Sequence, residues 1–179
     1  MIINILSQFS NLLTEIAAKA LHIGFLIRGG ATIGKLYHAQ GVIFGEALIE
    51  AYKIESRTAI YPRIVLSNKI TSNTVWFNSA INTVARIHRD KDGLYYFNIS
   101  RKLLWRAAKL NSNQDANGKI ELQEVSNLIR QRLNELRSAD KLHDLAKWEW
   151  FAREFSDALH SEPELIKSIG ISLDVISWK

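Results

Sequence analysis

The hydrophobic pattern of this chain changes once, near residue 100, and that change most limits the folds open to it. Before Ser100 the apolar residues fall mostly in short β-prone runs set between glycines and turn residues. After it they recur at helical spacing over roughly 100–110, 120–137 and 140–160. The expected fold class is therefore α+β, with one module over residues 1–100 and a helical C-terminal region over 101–179.

Within the first hundred residues, Ile5, Phe9, Leu12, Leu13, Ile16 and Ala17 form a helical stripe over about 5–20. Residues 23–37 read as one or two extended segments, and 41–45 as a short strand. Residues 46–56 carry strong helix formers, with Ala47, Leu48, Ala51 and Ile54 on one face. Pro62 precedes a buried strand at 63–67, and 69–84 is compatible with a helix. Asp92-Gly93 lies between two β-prone runs and predicts a hairpin. Pro163 and Gly170 punctuate what reads as a loosely structured tail.

Composition narrows the function classes. The 179 residues are 47% hydrophobic and 23% charged, as in ordinary globular proteins, and contain no cysteine, which excludes disulfides and thiolate metal sites. The net charge of +5 is spread along the chain with no dense basic block, so no specific nucleic-acid binding is expected. The N-terminal apolar run lacks a basic start and is broken by Gln8, Ser10, Asn11, Thr14 and Glu15. Neither a signal peptide nor a membrane span is expected, and the expected location is the cytoplasm.

The run "GGATIGKL", Gly29 to Leu36, nearly spells the phosphate-cradling pattern G-x-x-x-x-G-K-[ST]. Leu36 stands where a hydroxyl must hold Mg²⁺, and the residues after Lys35 are β-prone and broken by Gly41 and Gly45 where a helix must open. A P-loop is not expected.

The longer run "FLIRGGATIGKLYHAQGVIFGEALIEAYKIESRTAIYPRIVLS" resembles the class III nucleotidyl cyclase homology domain. The order carries the likeness: a strand from Arg28 to Gly34, a strand ending at Gly45, a helix over about 46–56, and a strand ending at Ser67. The wording is closest to divergent prokaryotic cyclase-like proteins, including the pyrimidine cyclases of anti-phage defence. The resemblance implies a partial ferredoxin-like catalytic domain. It also implies a phosphorus–oxygen lyase chemistry in which the ribose 3′-oxygen attacks the α-phosphate of a nucleoside triphosphate, with Mg²⁺ or Mn²⁺ held by two aspartates. By that likeness Lys53 and Arg28 contact phosphate, while Val42, Phe44 and Ile49 line the base and ribose region.

The departures are chemical. Ile49 stands at the position of a ribose-orienting Asn, Lys53 at that of a bidentate Arg, and Val42 at the base-choosing position. The family's metal aspartates lie upstream of the first matched helix, and this chain has no Asp before Asp90. The resemblance thus implies a missing metal-binding half, with sheet edge and an apolar helix face left uncovered. The half would be supplied by a homodimeric or other partner chain, or lost by truncation, and the chain alone would be catalytically silent. The alternative is a non-catalytic dimerisation or binding module.

Such a module could answer to calcium through 113–124, where "NQDANGKIELQE" approaches an EF-hand loop. Asn113, Asp115, Asn117 and Glu124 stand at ligand positions, Glu121 is a further oxygen donor, and Gly118 stands at the turn. A polar helix–helix connection is the other explanation. Arg28, Lys53, Arg57 and Arg63 could converge on phosphate or be ordinary surface charge. Asp90 and Asp92 suit a hairpin tip better than a metal site. The five histidines lack ligand spacing, and Trp148, Trp150, Phe151 and Phe155 read as core or interface.

Overall fold

The computed structural model describes residues 2–72, 77, 87–112 and 117–171. Helices dominate it, alongside a small mixed sheet. Contacts group the chain into two units, one formed by the residues up to Leu13 with Ile27–Asn98, the other by Thr14–Leu26 with the chain from Ile99 onward.

The first unit is built on four strands in the order β1 (Gly29–Ala31), β4 (Ile64–Leu66), β6 (Tyr95–Phe97) and β5 (Ile87–Arg89). β1 and β4 are parallel, with Gly29 opposite Ile64 and Ala31 opposite Leu66. Parallel neighbours need a long crossover. Here it consists of a two-stranded ribbon, β2 (Tyr37–Ala39) with β3 (Val42–Phe44), followed by helix α2 (Glu46–Arg57). β6 pairs antiparallel with both β4 and β5. β4 is the buried strand of the set, which explains its unbroken apolar run Ile64-Val65-Leu66.

The ribbon was not legible as a hairpin, although its turn is chemically clear. Gln40 and Gly41 both have positive φ, 51° and 79°, as a two-residue type I′ turn requires. The β5–β6 hairpin follows expectation, closing over Lys91, Asp92 and Gly93 with Gly93 at φ +84°. A single-turn helix, α3 (Asn68–Thr71), covers the start of the 69–84 segment, and most of the remainder lies outside the described residues.

Gly30 decides how α2 meets the sheet. A Cβ built there would lie 2.5 Å from the Ala51 carbonyl oxygen and 2.6 Å from the Ile54 Cβ, so helix and strand touch backbone to backbone. Gly29 meets only ordinary contacts, the nearest 3.7 Å away on Ile64.

In the second unit, the end of α1 (Ile2–His22) joins α4 (Ile99–Ser112), α5 (Asn117–Ser138), α6 (Leu142–Ser161) and α7 (Pro163–Ile169). Leu122, Val125, Ile129 and Leu133 recur three and four apart on α5 and are buried with Leu104, Phe151, Phe155 and Leu159. Trp148 and Trp150 are buried too, so the aromatic cluster of α6 is core. Gly118 is helical and lets α4 and α5 cross closely, since a Cβ there would fall 1.9 Å from the Ala107 carbonyl oxygen.

One expectation needs correction. The tail after Pro163 is ordered as α7 up to Gly170: proline at the first helical turn loses no needed N–H, and Gly170 ends the helix at φ +74°. These residues mark a helix's start and stop. On α1, the helical stripe is partly buried. Ala17, Ala18 and Leu21 face the interior, whereas Phe9, Leu12 and Ile16 remain exposed at 42%, 58% and 47%. Among the described residues no helix is long and apolar enough to cross a membrane.

Gly30→Ala should destabilise the protein by about 1–3 kcal/mol through overpacking, while Gly29→Ala should have little effect. Urea denaturation of the two variants checks the difference, and equal midpoints would contradict the close helix–strand approach.

Candidate functional site

The residues expected near a nucleotide lie on the ribbon and α2. Ala47, Ala51 and Ile54 turn toward β1, so the opposite side of α2 carries Leu48, Ile49, Tyr52 and Lys53 in solvent. Val42 is 53% exposed, Phe44 57% and Ile49 56%. The Phe44 ring stacks on Tyr37 at 4.7 Å between centroids. Gly45 joins the ribbon directly to α2, and its φ of 148° brings it against the Lys35 carbonyl. No helix opens after Lys35, whose backbone N–H instead donates to Glu46 Oε1 at 3.4 Å.

The four cations do not gather as one phosphate-facing set. Arg28 pairs with Glu55 at 2.7 Å. Arg57 sits exposed in the last turn of α2. Arg63 is 1% exposed, its guanidinium donating to Asp90 and Asp92 in the β5–β6 loop, and lies over the Tyr61 and Tyr96 rings at 5.7 and 5.6 Å. The physical reason is desolvation: a guanidinium taken out of water must be met by anions, and the loop supplies two. Burial alone would raise the Asp92 pKa. Hydrogen bonds from Arg63 and the Leu94 N–H outweigh that and hold it below the usual carboxylate value.

At the carboxyl ends of β1 and β4 stand two hydroxyl residues that sequence reasoning did not single out as donors. The Ser67 N–H donates to Ala31 O at 2.8 Å, which places Ser67 beside Thr32. Both side-chain oxygens are buried without a hydrogen bond of ordinary geometry among the described residues. Thr32 is nonetheless close enough to lower the Glu50 pKa, behind the larger effect of the hydrogen bond from Lys69, whose Nζ lies 2.6 Å from Glu50 Oε2. The recoverable signal was a hydroxyl residue directly following each parallel strand.

In the second unit, Asn117, Glu121 and Glu124 all lie on α5, while Asn113 and Asp115 fall outside the described residues. The segment is helical from the position expected to be fifth in a calcium loop, and Gly118 serves a helix crossing. Glu121 is directed inward, 3.3 Å from Arg106 Nη2 and 4.0 Å from His22 Nε2, without hydrogen-bond geometry to either. Arg106 also pairs with Glu15 at 2.8 Å. Burial pushes the Glu121 pKa up, only partly offset by Arg106 and His22. Among the described residues no three His, Asp or Glu side chains gather as a metal site.

With this geometry in hand, comparison with known proteins yields no neighbour: no family model, curated protein or solved structure matches the chain.

Arg63→Met should cost about 3 kcal/mol in urea denaturation, because it leaves two facing carboxylates without their cation. Glu121 sets a pH dependence of opposite sense to a salt-bridged acid. Its folded form binds the proton more tightly, so stability is greatest with Glu121 protonated and falls as pH rises from its ordinary 4.5 through the raised folded value. Glu121→Gln should flatten that slope when unfolding free energy is measured against pH, and an unchanged slope would assign it to other groups.

Proposed function

We propose that the first unit is a self-association module on a partial ferredoxin-like, cyclase-type framework, and that the chain alone does not turn over nucleoside triphosphates. The observation that carries this is the apolar surface of the ribbon and α2. Tyr37, Val42 and Phe44 on the ribbon, with Leu48, Ile49 and Tyr52 on α2, are each 45% to 68% exposed. Together they present on the order of 700 Å² of largely uncharged surface, close to the roughly 800 Å² per partner of a standard interface.

A second copy of this chain is the partner that fits. A two-stranded ribbon exposed on both faces is marginal on its own, and an apolar patch with few charges pairs well with itself in a two-fold contact. The cyclase-type reading is supported by the order of elements: β1, the strand β3 followed directly by Gly45, α2, and the strand β4 followed directly by Ser67. Within it Lys53 and Arg28 remain the phosphate contacts, with Val42, Phe44 and Ile49 at the base and ribose. Lys53 offers one exposed ammonium without a bidentate fork. Turnover would need Mg²⁺ or Mn²⁺ carboxylates from a partner.

Sedimentation velocity should show a dimer at micromolar concentration, and Phe44→Asp or Ile49→Asp should return it to monomer with unchanged circular dichroism, because both side chains are solvent-exposed in the single chain. Incubation with Mn²⁺ and each of the four nucleoside triphosphates should give no cyclic product. A monomer at about 100 μM, well above a micromolar dissociation constant, would overturn the association; cyclic product would overturn the silence.

A further inference from the structure

We propose that two copies of the chain join edge to edge through β3, so that their two ribbons make one continuous four-stranded antiparallel sheet. The pairing rests on the reading of the first unit as a self-association module and fixes the geometry of that contact. The free edge follows from the ribbon's own hydrogen bonding. Its type I′ turn at Gln40-Gly41 makes Ala39 and Val42 a hydrogen-bonded pair, and antiparallel pairs alternate. Tyr37 and Phe44 are therefore the next such pair, while His38 and Ile43 between them turn their N–H and C=O groups away from the ribbon. Among the described residues no backbone hydrogen bond from outside the ribbon reaches Ile43, and Gly41 to Phe44 are all exposed.

The local sequence selects a second copy as the partner strand. Gly41-Val42-Ile43-Phe44-Gly45 is symmetric in polarity about Ile43. An antiparallel two-fold contact centred there sets glycine against glycine at both ends, Val42 against Phe44 twice, and Ile43 against itself. Ile43 then exchanges both edge hydrogen bonds with Ile43 of the second copy. β3 carries no charge, whereas sheet edges that must stay unpaired are blunted by lysine, proline or a bulge. β2 makes the poorer edge, because self-pairing about His38 would oppose two imidazoles in place of two isoleucines.

The side chains complete the contact. Alternation puts Tyr37, Ala39, Val42 and Phe44 on one face of the ribbon, with His38 and Ile43 on the other. Within one copy the Phe44 ring stacks on Tyr37 at 4.7 Å between centroids. Across the axis Val42 of each copy lies beside Phe44 of the other, so this apolar row continues through both ribbons on one face. Aromatic and β-branched neighbours of this kind are favourable cross-strand pairs. Four strands in place of two also relieve the marginal stability of a lone hairpin.

Mixed dimers of ¹³C-labelled and unlabelled full chain test the pairing by NMR. Val42 and Phe44 of opposite copies form a non-hydrogen-bonded pair, so an intermolecular Hα–Hα NOE between them is expected. The Ile43 amide should exchange with solvent at least about tenfold more slowly in the dimer than in the Phe44→Asp monomer. Ile43→Pro removes the edge donor without breaking a ribbon hydrogen bond, and should weaken dimerisation at least about tenfold in Kd. A dimer lacking the NOE, with Ile43 exchanging freely or with unchanged Kd in folded Ile43→Pro, would overturn the edge pairing and leave self-association standing. A monomer at about 100 μM would overturn both. The wild-type NOE and exchange rates keep the test decisive should Ile43→Pro fail to fold.

Discussion

A guanidinium buried to 1% exposure cannot stand alone, and the first unit is arranged around meeting that requirement at Arg63. The residue immediately precedes the buried strand β4. Its carbonyl accepts from Gly29 N at 3.1 Å, opening the parallel pairing with β1, while its side chain reaches the β5–β6 loop at Asp90 and Asp92. One residue therefore ties three neighbouring parts of the sheet. Each carboxylate also organises the loop: Asp90 Oδ1 accepts from Lys91 N at 2.6 Å and Asp92 Oδ1 from Leu94 N at 3.1 Å. The loop is shaped to present two anions, and the anions justify burying the cation.

Close backbone approach is the second constraint, and it acts in each unit. Gly30 admits α2 onto β1, and Gly118 admits α5 onto α4. A side chain at either place meets a carbonyl oxygen, which cannot step aside as a flexible side chain can. The apolar residues left over by this packing are as informative as those it buries. α2 contributes no fully buried residue, and the ribbon is exposed along both strands. Surface of that kind is what the proposed self-association would cover.

The elements were legible where one periodicity held over a sufficient length. α2, the long helices α5 and α6, the buried strand Ile64–Leu66 and the Asp92-Gly93 hairpin all follow from local pattern, because backbone hydrogen bonding and one-sided burial impose it locally. Phe9, Leu12 and Ile16 show the limit. Their spacing establishes a helix with an apolar face, but whether that face is covered depends on what packs nearby. The same limit applied to the cations: Arg28, Arg57 and Arg63 look alike in sequence, yet one is half-exposed beside Glu55, one is exposed in the last turn of α2, and one is interior.

What the sequence determined by itself was the switch from an α+β half to a helical half, the turn chemistry, and the absence of thiol chemistry. These are consequences of composition and of spacing along a few residues. What only the tertiary structure decided was which charges meet and which glycines carry a crossing. Asp90 and Asp92 lie 27 and 29 residues from the arginine they hold, and Gly118 lies 11 residues beyond the Ala107 carbonyl it accommodates. Pairings of that separation are set by the packing of whole elements, and no local pattern encodes them.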